Sequence, residues 1–282
     1  MKLLYTVSLY KKPEQFFWLW QTIYNRHDAF ILHVDRKTPT DVYEKFREIA
    51  GEADNILWLE RQSVVWMGPG LVEIELEAIR AGLEVFGDFN YLMNLSGQDL
   101  QLRPREEIVE ELKDSYGANY VSMEPLGALP FHIRRRPHLL TFQYGQRLIK
   151  TPLPRLIPRE LKIHWKGSWW HVLEREFCKW IVEAPKAQAY RRFLYYVQAP
   201  DELYFQNVLQ DSPLAGTTAD RNRTFVKWSG IGGSPNTLTM VDHESIIDSR
   251  MFFARKFDCD VDMRLVQLVV ENVAKKVYAH SG

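Results

Sequence analysis

Three uninterrupted apolar runs near the start of the chain constrain its fold more than any other feature. Leu3 to Leu9 and Ala29 to Val34 are β-rich and apolar throughout, and Asn55 to Leu59 is a third such run. Between them lie two stretches with helical periodicity. One opens at Pro13 and extends to His27, with Phe16, Phe17, Leu19, Trp20 and Ile23 on one side; the other covers Thr40 to Ala50. A strand that is apolar at nearly every position must be covered on both faces. Alternating such strands with helices predicts an α/β fold with a parallel sheet between two helical layers. In such sheets ligands bind beyond the carboxyl ends of the strands. Asp35 stands at one of those ends.

The pattern continues. The segment SVVWMGPG leads into a helix expected over 71–86, followed by a strand at Tyr91–Leu95, the loop SGQDLQLRP, a helix over 103–112 and a strand over 120–123. Residues 1–125 therefore read as a nucleotide-binding half. Residues 126–166 differ: from His132 to Lys166 the cations Arg134, Arg135, Arg136, Arg147, Lys150, Arg155, Arg159, Lys162 and Lys166 face one acid, Glu160. Four prolines interrupt the same stretch, which predicts an irregular basic insertion. It is either a solvated loop, a contact for an anionic acceptor, or a contact for an acidic membrane surface. Residues 167–282 form the second half, with helices expected over 171–182, 185–196 and 199–210, a strand over 225–228, a short helix over 242–249, and an amphipathic last helix over 260–278. The segment GIGGS (230–234) reads as a loop. Nothing resembles a linker, so 1–282 is expected to be one domain.

Bulk properties exclude several classes. Lys+Arg and Asp+Glu balance at 36 each, so no overall field favours nucleic acid. The 9 Trp, 13 Tyr and 15 Phe either fill a core or offer stacking platforms for sugars. Cys178 and Cys259 lack metal-ligand spacing and sit in apolar contexts, as free thiols in a reducing compartment do. No run reaches the roughly 18 apolar residues of a membrane span. The N-terminal stretch MKLLYTVSLY reads as a first strand rather than a signal peptide. The expectation is a soluble, cytoplasmic protein, with the 132–166 segment offering peripheral contact at the inner face of a membrane.

Three features could carry chemistry. In Met251–Asp262, the cations Arg255 and Lys256 are framed by Phe252, Phe253, Ala254 and Phe257, which fits either an anion clamp or a salt-bridged turn. Asp258, Asp260 and Asp262 match the D-x-D pattern of metal-binding sugar-nucleotide enzymes. Their place at the start of the last helix fits helix capping instead. In APDELYFQ, Pro200 fixes a first helical turn, and Glu202 is either a capping residue or a general base within reach of a substrate hydroxyl. A nucleophile elbow of the G-x-S-x-G kind and a metal-spaced His cluster are both missing, and GIGGS lacks the context of a dinucleotide fingerprint.

Taken together, the blocks FILHVDRKT, YLMNLSGQDLQL, GSWWHVLEREFCKWIV, APDELYFQNVLQDSP, VKWSG…GGSPNTLT and FFARKFD resemble the core-2/I-branching glycosyltransferase family. That family includes peptide O-xylosyltransferases and β-1,6-N-acetylglucosaminyltransferases, and the blocks occur in its order along nearly the whole chain. GGSPN followed by FFARKFD is similar to the xylosyltransferase branch. The resemblance implies a GT-A fold with a mixed, mostly parallel central sheet and helices on both faces. It implies inverting, metal-independent transfer of a sugar, GlcNAc or xylose, from a UDP-sugar to a hydroxyl of a glycan, glycolipid or exopolysaccharide precursor. No metal and no further cofactor would be needed, and nucleic acid would not be a partner.

On this resemblance Glu202 is the general base, and Arg255 with Lys256 holds the diphosphate in place of a metal. Val7 and Asp35 meet the nucleoside, while Trp170, Trp169, Asp99 and Trp66 contact donor or acceptor sugar. Relatives often carry a polar residue where Trp169 stands. The additional phosphate-contacting Arg of the core-2 branch has no counterpart here. Two alternatives remain at this level: a metal-dependent GT-A transferase, and a non-catalytic sugar-nucleotide or glycan-binding protein on the same fold.

Overall fold

In the computed structural model, which describes residues 1–219, 221–229 and 234–280, the apolar runs become parallel strands. β1 (Leu3–Leu9), β2 (Ala29–Val34) and β3 (Ile56–Trp58) are joined by α1 (Pro13–Ile23) and α2 (Thr40–Ala50). Then come α3 (Gly70–Val85), β4 (Tyr91–Ser96), the short β5 (Asp99–Gln101), α4 (Arg105–Asp114) and β6 (Asn119–Val121). The basic segment and its flanks hold β7 (Glu124–Pro125), α5 (Phe131–Arg134), β8 (Leu139–Tyr144), β9 (Arg147–Pro154) and β10 (Trp165–Lys166). They are followed by β11 (His171–Glu174), α6 (Arg175–Glu183), α7 (Pro185–Leu194), α8 (Tyr204–Gln210) and β12 (Thr218–Ala219). The chain continues through β13 (Thr224–Val226), α9 (His243–Asp248), β14 (Phe253–Arg255) and α10 (Met263–His280). Residues 230–233, most of the GIGGS loop, lie outside the described residues.

The central sheet has seven strands in the order β12-β6-β11-β4-β1-β2-β3. β4, β1, β2 and β3 run parallel, whereas β11 is antiparallel to both of its neighbours, β4 and β6. Strand alternation sorts the core into two layers. Leu3, Tyr5, Val7 and Leu9 of β1 pack with Phe16, Phe46 and Val266 on one face, and Leu4 packs with Leu76, Phe177 and Phe205 on the other. The mixed, mostly parallel sheet with helices on both faces is the architecture predicted. Cys178 and Cys259 are free and buried.

Three local expectations are corrected. The helix predicted over 171–182 begins only at Arg175, because His171–Glu174 fills the gap between β4 and β6 as a fully buried strand. Glu174 then caps α6, its carboxylate accepting from the Glu176 N–H at 2.7 Å. The helix predicted from Ala199 is broken: Pro200–Glu202 is a 3₁₀ turn and α8 starts at Tyr204. The basic segment is not irregular throughout, since β8 and β9 form an antiparallel hairpin that turns at Gly145 with φ +58°.

A small sheet brings distant residues together. β14 lies between β13 and β5, and its antiparallel register with β5 sets Arg255 directly opposite Asp99.

Candidate active site

The β14–β5 register determines what Arg255 can do. Its Nε donates to Asp99 Oδ1 at 3.0 Å, and its guanidinium lies over the Trp170 ring, 3.4 Å from the centroid. Asp99 also accepts from the Ser96 N–H at 2.6 Å, the Ser96 hydroxyl at 3.1 Å and Trp170 Nε1 at 3.0 Å. Burial pulls the Arg255 pKa down from its ordinary value, and the Asp99 carboxylate opposes that shift. Asp99 is fully buried with both oxygens engaged. Asp99 and Trp170, the residues expected to contact sugar, are both joined to Arg255 and fix where its charge points.

Lys256, the next residue, is different. It is half-buried; its carbonyl accepts from the Leu238 N–H at 2.8 Å, while its ammonium has no hydrogen-bond or ion-pair partner among the described residues. Its pKa is held below the usual lysine value by burial first, then by the neighbouring charges of Lys11, Arg255 and Lys12. Lys12 is neutralised by Asp258 and by Asp260, the latter at 2.8 Å. The ligand atoms of Asp258, Cys259 and Asp260 lie within 4.8 Å of one another, so the D-x-D carboxylates do converge, and the Lys12 ammonium contacts both. Of the three aspartates only Asp262 caps α10, accepting from the Leu265 N–H at 3.0 Å. Lys11 and Lys256 are thus two cations without an acid partner among the described residues, beside the carboxyl end of β1.

Glu202 ends the 3₁₀ turn after Pro200. Its Oε2 accepts from an Arg136 guanidinium N–H at 2.8 Å and lies 3.6 Å from Lys166 Nζ. Next to it, Asp201 has a buried carboxyl oxygen without a partner. Burial, and then the Glu202 charge, push the Asp201 pKa up to about 7. The Glu202 carbonyl accepts from the Gly167 N–H at 2.8 Å. Only glycine fits there: a Cβ on Gly167 would fall 1.9 Å from the Ser122 carbonyl oxygen.

From Gly167 the chain runs through Ser168, held by Asn222 Nδ2 at 2.7 Å and Gln206 Nε2 at 2.8 Å, to Trp170 against Asp99 and Arg255. Three residues span at most about 11 Å between their Cα atoms. One short segment therefore has the base candidate at one end and the buried arginine at the other.

The remaining predicted residues divide. Asp35 follows β2 and its backbone N–H donates to Leu9 of β1 at 2.9 Å. Its carboxylate accepts from the Lys37 N–H at 2.8 Å and the Val64 N–H at 3.3 Å, so it ties together the loops at the carboxyl edge. His33, two residues earlier, is held to a pKa of about 4 by burial and accepts from the Gln62 N–H at 3.1 Å. Trp66 is 68% exposed on a loop fastened to the turn that carries Glu202, where the Ala199 N–H donates to Met67 O at 2.7 Å.

Two predicted residues have buried side chains. Val7 is 2% exposed inside the sheet between Leu32 and Leu95, and Trp169 is 4% exposed in the core. Neither presents a free side-chain face to a ligand.

Sequence reasoning missed Arg136 and Lys166, which reach Glu202 from the basic segment, and Lys11 and Lys12. The two lysines were discoverable, since they directly follow a predicted parallel strand at its ligand-binding end.

Residues 3–249 match the family model described as Core-2/I-Branching enzyme. Over 273 residues the chain is 26% identical to xylosyltransferase 2 of Rattus norvegicus, an alignment covering 89% of this chain and 31% of that protein. It is 22% identical over 300 residues to the β-1,3-galactosyl-O-glycosyl-glycoprotein β-1,6-N-acetylglucosaminyltransferase of Homo sapiens, covering 96% of this chain and 69% of that one. A xylosyltransferase of Ciona intestinalis is 23% identical over 265 residues, covering 88% and 31%. The chain spans about a third of the length of the xylosyltransferases it matches.

Proposed function

Because the chain belongs to the core-2/I-branching enzyme family, we propose that it transfers a sugar from a UDP-sugar to a hydroxyl of a glycan or glycolipid, with inversion and without a metal ion. The donors in best accord with the names of its relatives are UDP-xylose and UDP-GlcNAc. The observation that carries this proposal is the segment from Gly167 to Trp170, which fastens Glu202 and Arg255 to opposite ends of one site at the carboxyl edge of the sheet.

The reaction is a single displacement. Glu202 takes the proton of the acceptor hydroxyl as its oxygen bonds to the anomeric carbon. The bond from that carbon to the diphosphate breaks on the opposite face, and UDP leaves with the electron pair. Arg255 and Lys256, with Lys11 alongside, offset the charge that develops on the departing diphosphate. Arg136 and Lys166 hold the Glu202 carboxylate in place. The metal-free reading rests on Lys12, whose ammonium contacts the two aspartates that would otherwise be the metal ligands.

The test is release of UDP from UDP-xylose, UDP-GlcNAc, UDP-glucose and UDP-galactose in excess EDTA. Turnover of at least one donor is expected. Activity lost in EDTA and restored by Mn²⁺ would overturn metal independence, and UDP binding without turnover of any donor would make the chain a binding protein.

A further inference from the structure

We propose that the cavity beneath the β8–β9 hairpin is an acceptor subsite for an anionic group, a carboxylate or phosphate, positioned next to the base by Arg136. This rests on the transferase reading, and it narrows the acceptor to an anionic one.

The cavity measures about 520 Å³ and is lined by His132, Arg135, Arg136 and Lys150, with Thr141 and Gln198 among its other walls. That volume falls within the roughly 300–1,000 Å³ of small-molecule sites. Among the described residues the lining contains no acid. On a chain whose charges sum to zero, three cations and a histidine surround one hollow, and among the described residues only Arg136 of those cations has an acid partner, Glu202. Arg135 and Lys150 make no ion pair with the described residues; Arg135 lies near the Phe131 ring, 5.6 Å from its centroid. An anion in the hollow would offset their mutual repulsion.

Arg136 links this cavity to the chemistry. Its side chain is 14% exposed and one guanidinium nitrogen bonds Glu202 at 2.8 Å. A guanidinium has five N–H donors in a planar fork, so the same group can serve the carboxylate on one edge and a second anion on the other. An acceptor with its anionic group in the cavity would therefore lie one guanidinium away from Glu202, with its hydroxyl directed at the base. Gln198, another lining residue, immediately precedes Ala199 and the turn that carries Glu202. The concavity, and the withdrawal of Arg136 and Thr141 from the surface, favour a discrete anionic group over a flat bilayer.

The experiment measures binding of D-glucuronate, inorganic phosphate and neutral D-glucose to the full chain at low ionic strength, with UDP affinity in parallel. The variants are wild type and Arg135→Ala/Lys150→Ala; both side chains are exposed, so an unchanged melting temperature is the expected control. Glucuronate or phosphate should bind more tightly than glucose, and the double variant should lose about tenfold or more of that affinity while UDP affinity holds. Glucuronate alone identifies an acidic sugar and phosphate alone a phosphorylated acceptor. Either supports the subsite.

Failure of both anions to bind, or binding that the double variant leaves intact, would overturn it. Sedimentation with phosphatidylglycerol vesicles that the double variant abolishes, without binding of either small anion, would overturn it in favour of a membrane surface. Absence of UDP binding would instead sink the transferase reading, a result independent of what the cavity does.

Discussion

Arg255 and Lys256 are adjacent cations with different physical situations. Arg255 is buried, stacked and held by Asp99, so its charge is fixed in place. The Lys256 ammonium has no acid partner among the described residues, and burial with neighbouring cations depresses its pKa. A depressed lysine is charged below its own pKa and neutral above it, so its attraction for a diphosphate is lost as pH rises, and at lower pH than an ordinary lysine would lose it. UDP affinity, measured by titration calorimetry across the alkaline range, is expected to fall earlier than an unperturbed lysine dictates. Lys256→Arg should flatten that fall, because arginine does not titrate there. The Arg-Lys pair and Glu202 stood out as candidates because each sits in a distinctive short block. Trp169 and Trp170 were not separable. Adjacent residues on an extended segment face opposite ways, and one enters the core while the other meets Arg255; that alternation was hidden once the following residues were read as helix.

The segment before β11 is the element on which the site depends. Gly167 passes so close to Ser122 that a methyl group would overlap the carbonyl oxygen. Gly167→Ala must displace the segment, and with it both Glu202 and Trp170. Overpacking of this kind costs about 1–3 kcal/mol, and a domain of this size shifts by about 2–4 °C per kcal/mol. A melting temperature lower by several degrees is expected in thermal unfolding, together with a fall in transfer rate; an unchanged melting curve and rate would show that the segment does not position the site. The β8–β9 hairpin was illegible for a different reason. Pro152 and Pro154 break the strand signal, yet β9 pairs on one side only, where proline is tolerated. Its cations therefore looked like those of a loop.

Across the whole molecule the architecture was legible because parallel strands buried on both faces appear as continuous apolar runs. What no local pattern could give was the convergence of Arg136 and Lys166 on Glu202, and that of Asp99 and Trp170 on Arg255, residues far apart in sequence; the second is set by the β14–β5 register. Asp201, with a pKa of about 7, adds a group that gains charge beside Glu202 near neutrality. The account is tested most directly by the transfer rate and UDP affinity of Glu202→Gln. The amide keeps the shape and can still accept from Arg136, but it cannot take the acceptor proton. Turnover is expected to fall by about 100-fold or more, the scale of general-base assistance, with UDP affinity nearly unchanged. Turnover close to that of the unaltered protein would contradict the assignment of Glu202 as the base.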